Sequence, residues 1–298
     1  MVDQPRKFHL PFPYPDENCY SILCRFAVRR GWQSTHQVCQ EVFGHDIPLS
    51  GYMVKPFKVT DIRKWHGAGD VLYGSDHSCY QYLSVFLEKH DREQLKKCAE
   101  GSILRSGEEK KLGRKISLRS IRKRRLWYCP LCVRDDFRSY GETCWRRLPQ
   151  MPGVSYCPIH GVRLVESGVS TSDLDCRLIP ASYAVSYVPE PDTDVTGNVF
   201  QKEFMSVAKD TEWLLWHGFE YPSYDETLRI INEATNGRGI MRLHAENGNQ
   251  KRVSCFENYL ISRVLKDMGS CDLNDSLRSI LGLILTIEGL SGGTDRFW

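Results

Sequence analysis

Two short pairs of metal-ligating residues constrain this chain more than any other feature. They are Cys129-Pro-Leu-Cys132 and, 24 residues later, Cys157-Pro-Ile-His160-Gly161. A two-residue spacing with proline inside makes a tight knuckle whose side chains converge on one ion. Two knuckles complete a tetrahedral Cys3His shell, the donor set of one structural Zn2+, with ligands at about 2.0–2.3 Å. Four protein donors leave no open position for water activation, so the ion is read as structural. The loop between the knuckles exceeds that of a short zinc finger and fits a larger zinc-ribbon-like or treble-clef-like module. A thioredoxin-like redox pair would need a strand-to-helix βαβ context that is missing here.

The other cysteines do not join this pattern. Cys19, Cys24, Cys39, Cys79, Cys98, Cys144, Cys255 and Cys271 sit singly among apolar or mixed neighbours, as small buried hydrophobes do. Cys176 is read as structural too, with a minor chance of being a spare ligand. No apolar leader core follows Met1, and the longest apolar run, 280–287, falls far short of the roughly 20 residues that span a bilayer. A cytoplasmic protein with reduced thiols is expected, and no membrane partner. The chain carries no Walker A loop, no Gly-x-Ser-x-Gly elbow and no His-Glu-x-x-His. A zinc deaminase would need a His-x-Glu or Cys-x-Glu pair ahead of its cysteines, and none precedes Cys129. The sequence reads as a non-enzyme.

Charge is distributed in blocks that the net +3 conceals. Residues 103–125 hold 10 Lys/Arg against 2 Asp/Glu, a charge of +8, whereas residues 167–298 hold 12 against 19, a charge of −7. A one-signed basic belt abutting a metal motif and aromatics suits phosphate contact. Lys115, Arg119, Arg122, Lys123, Arg124 and Arg125 are its candidate DNA contacts. The acidic part suits a protein partner or solvent better than DNA.

Periodicity predicts a mainly α chain. Asp16 is expected to cap a helix over about 17–30 that ends at Gly31. Ser34 or Thr35 is expected to cap a second over about 35–43, closed by Gly44. The pair is a helix-turn-helix candidate, with Gln37 and Gln40 placed to pair with adenine. Further helices are expected at 59–65, 77–88, 92–101, 200–215, 225–235, 254–268 and 274–288, with one strand over 182–188. Trp127 and Trp145 are expected in the core of the metal module. The division is 1–102 for the helix-turn-helix-containing domain, 103–167 for the belt and zinc-binding module, and 168–298 for a linker and helical C-terminal domain.

The order of these parts resembles the TniQ/TnsD family of transposon target-selection proteins. The resemblance is carried by Pro11-Phe-Pro-Tyr-Pro-Asp-Glu-Asn-Cys-Tyr-Ser-Ile-Leu-Cys-Arg25, by Tyr128-Cys-Pro-Leu-Cys-Val, by Tyr140-Gly-Glu-Thr-Cys-Trp145 and by Leu148 to Gly161. It covers about residues 1–165. It implies a non-catalytic adaptor that binds double-stranded target DNA, or docks on a CRISPR effector complex, and recruits an AAA+ ATPase and through it a transposase. It further implies a bacterial, nucleoid-associated setting. The chain is shorter than full TnsD proteins and lacks a second cysteine cluster, which points to one zinc. A zinc-containing transcription regulator is the alternative of another class.

Overall fold

The computed structural model describes residues 10–56, 75–85, 87–100, 112, 123–151, 153–185 and 201–223, with 226 and 229. Its elements in chain order are α1 (Cys19–Arg30), α2 (Thr35–Val42), α3 (Tyr80–Ser84), α4 (Lys89–Ala99), β1 (Arg125–Tyr128), α5 (Pro130–Tyr140), β2 (Val165–Ser170), α6 (Ala181–Ala184) and α7 (Gln201–His217). The chain is mainly helical, and its small sheet has two antiparallel strands. Among the described residues no helix is long and apolar enough to cross a membrane.

Local chemistry accounts for the first two helices. Gly31 at φ 71 and Gly44 at φ 79 take the left-handed conformation just past each helix, where glycine meets no Cβ penalty. The Ser34 hydroxyl accepts from the His36 N–H at 3.2 Å and caps α2. The cap of α1 differs from expectation. Asn18, not Asp16, accepts from the Ser21 N–H at 2.9 Å. Asp16 stands at φ 59, and its two carboxylate oxygens are taken by Arg147 Nε and the Leu148 N–H at 2.9 and 3.1 Å. A distant partner has claimed the carboxylate that sequence assigns to the helix end.

Two further expectations are corrected. The helix expected over 77–88 is only one turn and a half, α3. The Ser84 hydroxyl donates to the Gln81 carbonyl at 2.7 Å, the kind of local bond that competes with the helical ladder. Gly218 also presses on this turn, because a Cβ there would land on the Gln81 carbonyl. The strand expected over 182–188 begins instead as the short helix α6. Pro180 leads into it, and the Ser182 hydroxyl bonds the Thr143 N–H and carbonyl at 2.9 and 3.2 Å. The helices expected near 92–101 and 200–215 are found as α4 and α7; that at 225–235 is described only at 226 and 229, both helical, and those at 59–65, 254–268 and 274–288 lie outside the described residues.

One hydrophobic cluster joins the elements. Leu23 of α1, Val38 of α2, Tyr82 of α3, Leu95 of α4, Leu126 of β1, Trp145 and Leu214 of α7 are all buried in it. Trp127 is partly buried against the same cluster. Cys19, Cys24, Cys39, Cys79, Cys98 and Cys144 are buried as expected, Cys176 is exposed, and Cys255 and Cys271 lie outside the described residues.

The segments that carry the family resemblance meet in this core. The Tyr14 ring stacks on Tyr140 at 4.3 Å, and the Arg25 guanidinium lies 3.6 Å from the Tyr14 centroid. Arg25 pairs with Glu17 at 2.6 Å and Glu142 at 3.0 Å. The Asn18 N–H donates to the Trp145 carbonyl, and the Trp145 N–H donates to Ser21 Oγ, both at 3.0 Å. Burial pushes the Glu17 carboxyl up to about 7, with the Arg25 charge opposing it.

His77 lies beneath this junction, its Nδ1 2.8 Å from the Glu17 carbonyl. Burial first, then the Arg147 charge, holds its pKa below the usual histidine value. As pH falls below about 6.5, the unfolded chain takes up the proton before the folded one does, so His77 subtracts stability on acidification. The urea midpoint is expected to depend less steeply on pH between 7 and 5 in His77→Gln than in the wild type. Parallel curves would remove His77 from the acid response.

Candidate metal centre and nucleic-acid interface

The first knuckle is built by a helix start. Cys129 is the N-cap of α5, its sulfur accepting from the Cys132 N–H at 3.4 Å, and Pro130 fills the first turn, where its missing N–H costs nothing. The second knuckle is a tight turn. The Gly161 N–H donates to the Cys157 carbonyl at 2.8 Å, and the Cys157 N–H to the Val162 carbonyl at 2.9 Å. Gly161 at φ 68 allows the reversal. The sheet brings the knuckles together, because β1 runs into Cys129 while β2 follows His160. Tyr128 pairs with Val165 and Trp127 with Glu166, with a bulge between Arg125 and Trp127.

The four donors converge. His160 Nδ1 is 3.5, 3.4 and 3.6 Å from the sulfurs of Cys129, Cys132 and Cys157, and the Cys132 and Cys157 sulfurs are 3.7 Å apart. All four ligand atoms lie within 4.8 Å of one another. A tetrahedron with bonds of about 2.0–2.3 Å to a central cation has edges of about 3.3–3.8 Å, which these separations match. The sulfur separation is far beyond the roughly 2.05 Å of a disulfide. The donor set thus fits one tetrahedral metal ion. Close packing also sets the thiol charges. Hydrogen bonds from Cys129 and then Cys132 push Cys157 down, while Cys132 is pushed up by its bonds to Cys129 and Cys157 and by burial. A bound dication would hold all three as thiolates.

The flanks of the centre are braced by charge. Asp136 of α5 is buried and accepts from Thr143 Oγ1 at 2.7 Å and from Arg146 at 2.5 Å. Arg147 is fully buried. It bonds Asp16, donates to the Ser78 carbonyl at 2.8 Å and the Leu215 carbonyl at 3.4 Å, and lies 4.4 Å from the Trp216 ring centroid. Sequence reading missed Arg25, Glu142 and Arg147 as organising residues. Arg25 and Glu142 do lie in the segments that carry the family resemblance, but the partners that give them this role are distant in sequence.

The candidate DNA contacts are placed unevenly. Arg124 and Arg125 are exposed, and Arg125 pairs with Glu166 at 3.4 Å, both side chains about half exposed. Lys123 points inward. Its Nζ donates to the Pro149 and Val154 carbonyls at 2.9 and 2.5 Å and lies 4.6 Å from the Trp127 centroid. Burial pulls its ammonium down to about 7. Gln37 and Gln40 are exposed on α2. Lys115, Arg119 and Arg122 lie outside the described residues.

Comparison with known proteins agrees with this arrangement. The chain is similar to the transposon Tn7 transposition protein TnsD of Escherichia coli, at 28% identity over 162 residues covering 51% of this chain. It spans only 30% of that protein's length. The TniQ family matches residues 9–164, a span that takes in Asp16, Arg25, both knuckles and the Gly141–Arg147 segment between them. With just over half of its 298 residues matched, the chain belongs to the TniQ family.

Proposed function

We propose that the chain is a non-catalytic target-selection adaptor for transposition, one that binds target DNA and recruits an AAA+ ATPase and its transposase in the bacterial cytoplasm. The observation that carries this reading is the TniQ match over residues 9–164, which spans both the two-helix unit and the metal centre. The likeness to a transposition protein supports it. The occupant of the centre is zinc, because three sulfurs and one imidazole in a tetrahedral set suit that ion and leave it no open position. Its job is structural: it fastens β1, α5 and the second knuckle into one support for the basic belt. In this reading α2 of the two-helix unit enters the major groove with Gln37 and Gln40, while Arg124 and Arg125, with Lys115, Arg119 and Arg122, hold phosphates.

A salt titration of duplex binding by the full chain tests the DNA half of this reading. Each phosphate contact contributes about −0.9 to the slope of log affinity against log salt. Arg124→Gln combined with Arg125→Gln is expected to flatten the slope by about two units and to weaken all sequences alike. Lys123→Gln is expected to leave the slope unchanged but to lower stability by about 1–3 kcal/mol, because it strands two carbonyls. An unchanged slope in the double variant, with strong wild-type binding, removes the belt from the DNA surface. Absence of duplex binding, with recruitment only through a guide-RNA complex, points to a CRISPR-effector adaptor instead.

A further inference from the structure

We infer that Asp135 is the outer-sphere positioning residue of the metal centre, the group that sets which nitrogen His160 offers and how tightly the ion is held. The inference rests on the reading of the cluster as a zinc site. His160 turns Nδ1 toward the three sulfurs, and its other ring nitrogen, Nε2, lies 3.0 Å from Asp135 Oδ2. A carboxylate oxygen there accepts, so Nε2 carries the hydrogen and Nδ1 keeps its lone pair free for the ion. A ring fixed this way needs no reorientation to bind, and the carboxylate makes it a stronger donor.

The sequence places the pair by helical arithmetic. Asp135 follows Cys132 by three residues on α5, so ligand and positioning residue stand on one helix face. The second oxygen of the carboxylate, Oδ1, lies 3.6 Å from Arg138 Nη1, three residues further on. A short relay therefore runs Arg138, Asp135, His160, metal. Arg138 is mostly exposed, so its share is small. The neighbouring acid has a different job. Asp136 is buried and bound to Thr143 and Arg146, which ties it to the fold rather than to the ligand. Adjacent aspartates on one helix thus divide between metal and scaffold.

The test uses the full zinc-loaded chain challenged with a chromophoric chelator, reading the rate of zinc release and the competition affinity. Asp135→Ala is expected to weaken zinc binding about 10–100-fold, the usual effect of losing an outer-sphere partner. Asp135→Asn, which keeps an acceptor oxygen, is expected to fall between it and wild type, and Arg138→Ala to change binding by less than about threefold. The melting temperature in excess zinc should be unchanged in all three, because Asp135 is about half exposed. Zinc release from Asp135→Ala at the wild-type rate overturns the inference while leaving the zinc reading intact. A lowered melting temperature in excess zinc with unchanged release also overturns it, because Asp135 would then serve the fold. Wild-type protein without zinc overturns both readings at once.

Discussion

Cys132→Ser is expected to yield a chain that holds no stoichiometric zinc and does not fold around residues 125–170. Structural zinc contributes about 10–16 kcal/mol of apparent binding free energy in small zinc domains, and the site does not exist in the unfolded chain. That is comparable to the roughly 5–15 kcal/mol that holds a whole domain together. Cys132 sits at the convergence of the cluster, with His160 and Cys157 at 3.4 and 3.7 Å. Elemental analysis and circular dichroism of the purified protein would check both parts. Cys79→Ser is the control: this thiol is buried against the Met53 carbonyl at 3.7 Å, away from the cluster, and its loss should leave zinc at about one per chain. A soluble, folded Cys132→Ser that retains one zinc would falsify the role given to this ligand.

Arg147→Met is the second large effect, expected to cost about 3–5 kcal/mol. Breaking a buried ion pair by removing one partner leaves the other charge uncompensated. Here the partner is Asp16, whose carboxylate would keep only the Leu148 N–H. The Ser78 and Leu215 carbonyls would lose a donor as well. Urea unfolding reads the change directly. The double variant Asp16→Asn with Arg147→Met should cost less than the sum of the two single changes, because the pair is then removed together. A single-variant loss under about 1 kcal/mol would show that neither the pair nor its carbonyl contacts hold the junction.

The parts of this protein that local chemistry determines were legible in its sequence. Ser34, Gly31 and Gly44 mark helix ends by side-chain size and hydrogen-bonding reach. The two knuckles follow from the spacing of four ligand types, and the structure brings all four together. Residues whose partners lie far along the chain were misread or passed over. Asp16 looks like a helix cap because Asp is a good cap, yet Arg147, 131 residues away, takes its carboxylate. Lys123 looks like one more cation in a basic run, yet two carbonyls and an indole face draw it inward. The strand expected over 182–188 starts instead in the short helix at Ala181–Ala184, where Ser182 bonds Thr143, 39 residues away. The place of Asp135 depends on the orientation of one imidazole, which no local sequence pattern carries.

The clasp between the start of α1 and the Glu142–Arg147 segment has a consequence for synthesis. Ser21 and Trp145 bond across 124 residues. At the usual elongation rate of about 5–20 residues per second, those residues take about 6–25 s to emerge. Throughout that interval Ser21 and the start of α1 have been made but lack the Trp145 backbone that they bond. Contacts so far apart in sequence close slowly even in a finished chain. The start of the nascent N-terminal helix therefore waits without its clasp, a segment within reach of chaperones, until the Glu142–Arg147 segment has arrived.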